Sequence, residues 1–450
     1  MSITREKKPA IQLADHFTYR KLIQFTLPTI GTMIFASIYS VVDGFFVSNY
    51  AGTVPFAALN LIMPLLIVLA AIGFVFGAGG TALVSMTLGT GNQKRANEIF
   101  SLIVYVLIIL GTVLSIIGYI LTPQIARLLG ATDELMPYCV LYARINMFGN
   151  VPFMLQHLFQ SFFVTAEKPR LGLRVMVAAG VTNMVLDWLF VGVLGWGLGG
   201  AAWATVIAEV VGAAIPVVYF FLPNPTKLRL GRTHWDGKAV LKTCTNGSSE
   251  FLSNVSASVI GMLYNYQLLS LAGKNGVAAY GVIMYVNFIF VAIYFGYAMG
   301  VSPVIGYQYG AQNTDELKSL FRKTIVMTGI AAGIMLASAE IGSGLLVRIF
   351  VGYDPELYAL TVRGFRIYSI AFLFMGFNIF GSALFTSLNN GLISAFLSFM
   401  RAFVLELIMI YLMPYLFGVD GLWMVIVAVE GLCLLLTVIV VLKYRKKYQY

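Results

Sequence analysis

Four oxygen-bearing side chains stand where the sequence gives them little to dissolve in: Asp43 in "FASIYSVVDGFFVSNYAG", Asn183 and Asp187 in "VTNMVLDWLFV", and Thr205 in "GLGGAAWATVIAE". Placing one carboxylate within a membrane costs about 2.5–3.5 kcal/mol at a helix centre. Two close together cost more if both stay ionised. A bound cation would relieve this, since hard cations such as Na+ take oxygen ligands as calcium and magnesium do, and so would a proton. The competing reading is that Asp43 and Asp187 only accept hydrogen bonds from neighbouring helices. Asn183 and Asp187 lie one turn apart on a common helical face.

The elements that must position these groups are membrane helices. Of the 450 residues, 59% are hydrophobic and 11% charged, and apolar runs of about 20 residues, enough to cross roughly 30 Å of hydrocarbon, recur along the chain. Breaks rich in Gly, Pro, Asn or charge give twelve segments: 17–47, 57–88, 97–121, 136–164, 171–193, 200–222, 240–270, 278–308, 317–340, 356–386, 392–414 and 421–442. The fold class expected is therefore an all-α polytopic membrane protein. Its parts would be an N-terminal tail (1–16), a six-helix bundle (17–222), a linker (223–239), a second six-helix bundle (240–442) and a C-terminal tail (443–450). The opening residues lack a short apolar core and a cleavage site, so the first apolar segment is expected to stay as a helix.

Basic residues crowd the N-terminus (Arg5, Lys7, Lys8, Arg20, Lys21), the central loop (Lys227, Arg229, Arg232, Lys238, Lys242) and the C-terminus (Lys443, Arg445, Lys446, Lys447). The other connections on that side add more, whereas the opposite connections hold little beyond Arg127, Lys274 and Arg348. The positive-inside rule then puts both termini, the linker and the tails in the cytoplasm, with the chain multi-pass in the cell (inner) membrane. On that topology Asp43, Asp187 and Thr205 reach a similar depth in the outer third of helices 1, 5 and 6, with Asn183 one turn deeper. The net charge of +10 is accounted for by these scattered flanks, so nucleic acid is not an expected partner. Cys139, Cys244 and Cys433 have no metal or redox spacing and are read as buried structural thiols.

The halves repeat at an offset of 221 residues, which lays Ala51-Gly52 on Ala272-Gly273, Gly89 on Gly310, Arg127 on Arg348, Thr165 on Thr386 and Glu209 on Glu430. Six helices per half make the repeats parallel, related by an axis along the membrane normal as in alternating-access transporters. The counterparts of Asp43, Asn183, Asp187 and Thr205 are Tyr264, Val404, Ile408 and Ile426, so the polar cluster belongs to the first half alone. By the same logic Glu209 and Glu430, which repeat, are expected to be architectural, with Glu209, one turn below Thr205, in a position to assist.

With these segments in view, the chain resembles the multidrug and toxic compound extrusion (MATE) transporters, in their bacterial multidrug-efflux branch. The likeness spans essentially the whole length, on "FTLPTIGTMIFASIYSVVDGFFV", "LVSMTLGTGNQKRANEIF", "LFQSFFVTAEKPRLGL", "VTNMVLDWLFV" and "GLGGAAWATVIAE". The resemblance implies a V of two six-helix bundles exporting drugs in exchange for sodium ions or protons. It also implies a cation-binding or protonatable cluster at the spacing of Asp43, Asn183, Asp187 and Thr205. Lipophilic organic cations are the expected substrates, Na+ or H+ the coupling ion, no cofactor or further metal is expected, and the protein is expected to be a monomer.

Pro28, fifteen residues before Asp43, is the candidate hinge of helix 1. Tyr39, Gln156, Phe159, Glu250, Tyr264, Tyr285 and Asn287 are candidates for a substrate cavity, with packing as the alternative for each aromatic. Arg144, Arg366, Arg401, Glu340 and Glu406 are expected in inter-helix pairs, and His157 as a hydrogen-bonded packing residue. The sequence has no phosphate loop, H-E-x-x-H or G-x-S-x-G, so ATP hydrolysis and hydrolytic chemistry have no motif to rest on. The alternative function is a flippase for a lipid-linked sugar or another amphipathic anion, which would call for Arg and Lys facing a cavity.

Overall fold

The computed structural model describes residues 11–450, so Arg5, Lys7 and Lys8 lie outside the described residues. The chain is all-helical: α1 (Tyr19–Phe46), α2 (Thr53–Gly89), α3 (Gln93–Leu128), α4 (Met136–Thr165), α5 (Pro169–Asp187), α6 (Gly197–Phe221), α7 (Gly237–Gly310), α8 (Thr314–Val351), α9 (Pro355–Ser369), α10 (Phe372–Ser387), α11 (Gly391–Phe399) and α12 (Glu406–Tyr448). These do not map one to one onto the expected segments. α7 is two crossings folded back at Gly273, whose φ of 61° is left-handed, and the return stacks Tyr280 on Tyr264 with ring centroids 4.9 Å apart. α12 reverses likewise at Gly418 (φ 59°), which brings Arg401 against Glu430. Conversely α9 and α10 meet at 48° and make one crossing between them. Counted so, the chain holds twelve crossings in two six-helix bundles.

Polar caps start the helices on one face of the molecule. Asn92 accepts from the Arg95 amide at 3.0 Å and its repeat counterpart Asn313 from the Glu316 amide at 3.2 Å. Asp236 caps α7 and pairs with Arg95; its bond from the Ala239 amide, then the Arg95 guanidinium, hold its carboxyl below the usual range. Within each bundle the apolar faces bury large aromatics, such as Phe100, Phe162 and Phe220 in the first and Phe365, Phe372 and Trp423 in the second. Outward, α8 exposes Ile330, Ile334, Ile341, Leu345 and Ile349 in one stripe, a surface that water would not tolerate and lipid does.

The two bundles meet through α2, α1 and α7, and the contacts obey the repeat. A Cβ at Gly89 would come within 2.8 Å of Ala311 N, and one at Gly310 within 2.8 Å of the Met86 carbonyl carbon, each overlapping the facing carbonyl oxygen still more. The pairs 86/310 and 307/89 exchange under the 221-residue offset, so an isologous two-fold contact lies at this point. Gly79 against Gly247 is matched in the same way by Gly300 against Thr26. All these contacts fall in the half of the helices nearer the two termini.

That end is sealed further by the chain's first described residues. Leu13 and Phe17 are fully buried; the Leu13 amide donates to Glu167 Oε1 of the first bundle at 2.8 Å, while Gln308 of the second donates to the Leu13 carbonyl at 2.8 Å. Glu316 accepts from the Phe17 amide at 2.9 Å and meets His16 Nδ1 at 2.5 Å. From residue 11 the expected tail is thus a strap across both bundles. The far terminus is packed too: α12 runs to Tyr448, and Tyr448 and Tyr450 are buried.

Candidate functional site

Asp43 stands three residues before the end of α1 and Asp187 is the last residue of α5. A π-helical turn follows each, Val47–Ala51 after α1 and Trp188–Val193 after α5. The third π-helical turn among the described residues, Met400–Leu405, contains Arg401 and precedes Glu406. Each of these turns thus contains an ionisable residue, follows one directly or comes one helical turn after one, and a widened turn re-aims side chains off the regular ladder.

The carboxyls of Asp43 on α1 and Asp187 on α5 are close enough for each to sense the other's charge. Asp187 is 0% exposed and neither of its oxygens has a partner; Asp43 Oδ1 and Asn183 Oδ1 are likewise buried and unpartnered among the described residues. An unmet buried acceptor typically costs about 1–3 kcal/mol, more when charged. The orphaned oxygens on α1 and α5 are acceptors without donors, which a proton or a cation would satisfy chemically. Hydrogen bonds from neighbouring helices, the alternative reading of the two aspartates, are not made to these oxygens. Thr205 is half-buried on α6 and its hydroxyl donates to the Ala201 carbonyl at 3.1 Å, so only its lone pairs face outward from that bond. Pro28 is buried within a continuous α1, beside the residues Thr26 and Thr29 that pack on Gly300.

The cavity candidates separate. Tyr39 lies beside both Asp43 and Glu209. Gln156 is buried against Gly212, its amide on Met176 Sδ at 3.6 Å and its Oε1 unpartnered. Phe159 is instead enclosed in the first bundle's core between Phe100 and Phe220, because its face of α4 packs inward on α3 and α6. Tyr264 is buried under Tyr280, and Tyr285 is 46% exposed and stacked on Phe350. Asn287 Oδ1 is buried without a partner, and Glu250 lies close enough to Arg401 to feel its charge.

Of the expected pairs, Arg401 binds Glu430, Arg366 approaches Glu340 at 3.9 Å, and Arg144 turns instead over the Tyr119 ring at 4.9 Å. Glu406 has no ion pair among the described residues. His157 differs from expectation: its Nδ1 has no partner, and the ring is held by Phe74 and Phe153 at 4.2 and 4.8 Å. Glu209 differs as well. Glu430 is structural, gripped by Arg401 and Asn378, but Glu209 has neither ion pair nor hydrogen bond among the described residues, since the repeat kept the glutamate and not its partners. Tyr142, 2% exposed and facing Asp43, Glu209 and Asp187, was not foreseen; its sequence signal was only an apolar neighbourhood on α4.

Comparison with known proteins follows the same lines. The MatE family profile matches residues 28–189 and again 251–412. The multidrug export protein MepA of Staphylococcus haemolyticus is 23% identical over 95% of this chain and 94% of its own. Among solved structures, a MATE protein in complex with MaL6 superposes with a TM-score of 0.92 at 20% identity, covering 98% of this chain and 100% of that one. An outward-facing multidrug resistance transporter of the MATE family and MOP superfamily also gives 0.92 at 20% identity, over 99% of both chains.

Proposed function

The chain belongs to the MatE family, and on that premise we propose that it is a multidrug antiporter, exporting lipophilic and mostly cationic compounds across the cell membrane in exchange for Na+ or H+. The observation that carries this reading is the set of orphaned buried oxygens of Asp43, Asn183 and Asp187, whose counterparts in the second bundle are Tyr264, Val404 and Ile408. Loading a cation from outside neutralises the two carboxylates and lets α1 close toward α5 and α6. A bound organic cation then loses its counter-charge and its space. Both termini lie in the cytoplasm on this reading, so the sealed end is cytoplasmic and the cleft between bundles opens outward. A ligand shifts such an equilibrium only by its differential affinity for the two states, and here the ion and the drug favour opposite ones.

The flippase alternative needs free guanidinium or ammonium groups facing the cleft; Arg366 and Arg401 are each engaged by a glutamate, while Arg144, without an acidic partner among the described residues, lies over the Tyr119 ring. Export of a cationic dye from vesicles, under sodium and proton gradients imposed separately, tests the proposal. Export under one gradient and none without either supports it. Export under neither, with flipping of a lipid-linked anion, overturns it.

A further inference from the structure

The repeat gives Glu209 an internal control. In the second bundle Glu430 is 1% exposed and fully held: Arg401 Nε and Nη2 reach Oε1 at 2.8 and 2.7 Å, and Asn378 Nδ2 reaches Oε2 at 2.7 Å. Carried back 221 residues, Arg401 becomes Gly180 and Asn378 becomes His157, while the glutamate persists as Glu209. The room an arginine would need at 180 is occupied by the Phe35 ring, whose Cζ would lie 3.1 Å from a Cβ there. His157 is committed to Phe74 and Phe153. Glu209, 9% exposed, rests its Oε2 over Gly149 of α4, where a Cβ would come within 2.5 Å.

The titratable groups that face it are Asp43 and Tyr39 from α1 and Tyr142 from α4, and none is a cation. One side chain further on, Asp187 is fully buried with both oxygens unpartnered. A metal ion would require several oxygens closing around it, and no three His, Cys, Asp or Glu side chains among the described residues converge in that way. A carboxyl with a single anionic neighbour and two phenols beside it is neutralised most simply by its own O–H bond.

We propose that Glu209 is a second charge-carrying carboxyl of the first bundle, distinct from the Asp43–Asp187 pair, protonated when the bundle is empty of drug and deprotonated when an organic cation binds. On binding, the O–H bond at Glu209 breaks, the proton leaves to water, and the carboxylate left behind balances the incoming charge. The exchange then involves one proton beyond whatever ion the aspartate pair carries. The proposal rests on the reading of that pair as the coupling site and extends it.

The test uses the purified full-length protein and tetraphenylphosphonium, with proton release read by an indicator dye in weakly buffered solution and binding read separately by intrinsic tryptophan fluorescence. The wild type is expected to release about one proton more per bound cation than Glu209→Gln, and Glu209→Asp to restore that proton. Asp43→Asn combined with Asp187→Asn should weaken tetraphenylphosphonium binding, the readout that reports on the pair itself. Equal release by wild type and Glu209→Gln, no release from the wild type, or failure of Glu209→Asp to restore it each overturns the proposal. Failure of the underlying reading would show differently, as tetraphenylphosphonium binding unmoved by the double aspartate variant.

Discussion

The isologous contact between the bundles can be opened by one carbon atom. A Cβ at Gly310 would stand 2.8 Å from the Met86 carbonyl carbon, and at Gly89 the same distance from Ala311 N. Ordinary carbon contacts are about 3.5–4.0 Å, so either alanine forces the backbones apart by roughly 1 Å. Overpacking of this kind costs about 1–3 kcal/mol, and the cost falls on the arrangement closed at the terminal end. The equilibrium should therefore shift about 5- to 150-fold toward separation of that end. Ala82 reports it: the residue is 0% exposed in the seam, with its carbonyl bound by Asn389 Nδ2 at 2.9 Å. In a background lacking Cys139, Cys244 and Cys433, Ala82→Cys should label slowly, and at least several-fold faster when Gly89→Ala or Gly310→Ala is added. Gly333→Ala, which meets open space, should change nothing. Unaltered labelling in both variants, or acceleration in one and not the other, would refute the two-fold packing argument.

Arg401→Met should strand Glu430 in the core and lower stability by about 3–5 kcal/mol, read as earlier thermal unfolding in detergent, while Arg401→Met with Glu430→Gln should recover most of the loss. Phe17→Asp should release the strap and raise Ala82→Cys labelling from the terminal side, since a fully buried ring would be replaced by a charge beside Glu316. Arg229→Cys should react with impermeant thiol reagents only from the cytoplasm and Lys274→Cys only from outside; the reverse pattern would overturn the depth assignment.

Helix content, the repeat and the position of Asp43 were legible because apolar length, turn residues and an isolated carboxylate are local signals. Gly273 and Gly418 fall in the breaks expected between successive crossings, and the chain turns at both with a positive φ. The π-helical turns after Asp43 and Asp187 left no composition to read. Glu209 and Glu430 occupy matching positions, but the partners that hold Glu430 have no equivalent beside Glu209. The offset that pairs Glu209 with Glu430 also pairs Arg401 with Gly180, so the missing counter-charge was present in the sequence. The strap depended on tertiary contacts of Leu13 and Phe17 with residues some 150 to 300 positions away, which no local pattern carries.

The central claim is that the first bundle's aspartates couple ion entry to drug exit. Gradient-driven efflux of a cationic dye from proteoliposomes holding Asp43→Asn or Asp187→Asn, beside Tyr264→Phe and Ile408→Val at the matching positions of the second bundle, tests it most directly. Each aspartate variant should insert normally yet lose efflux under either gradient, and the second-bundle variants should keep most of it. Normal efflux from both aspartate variants under sodium or proton gradients would contradict the account.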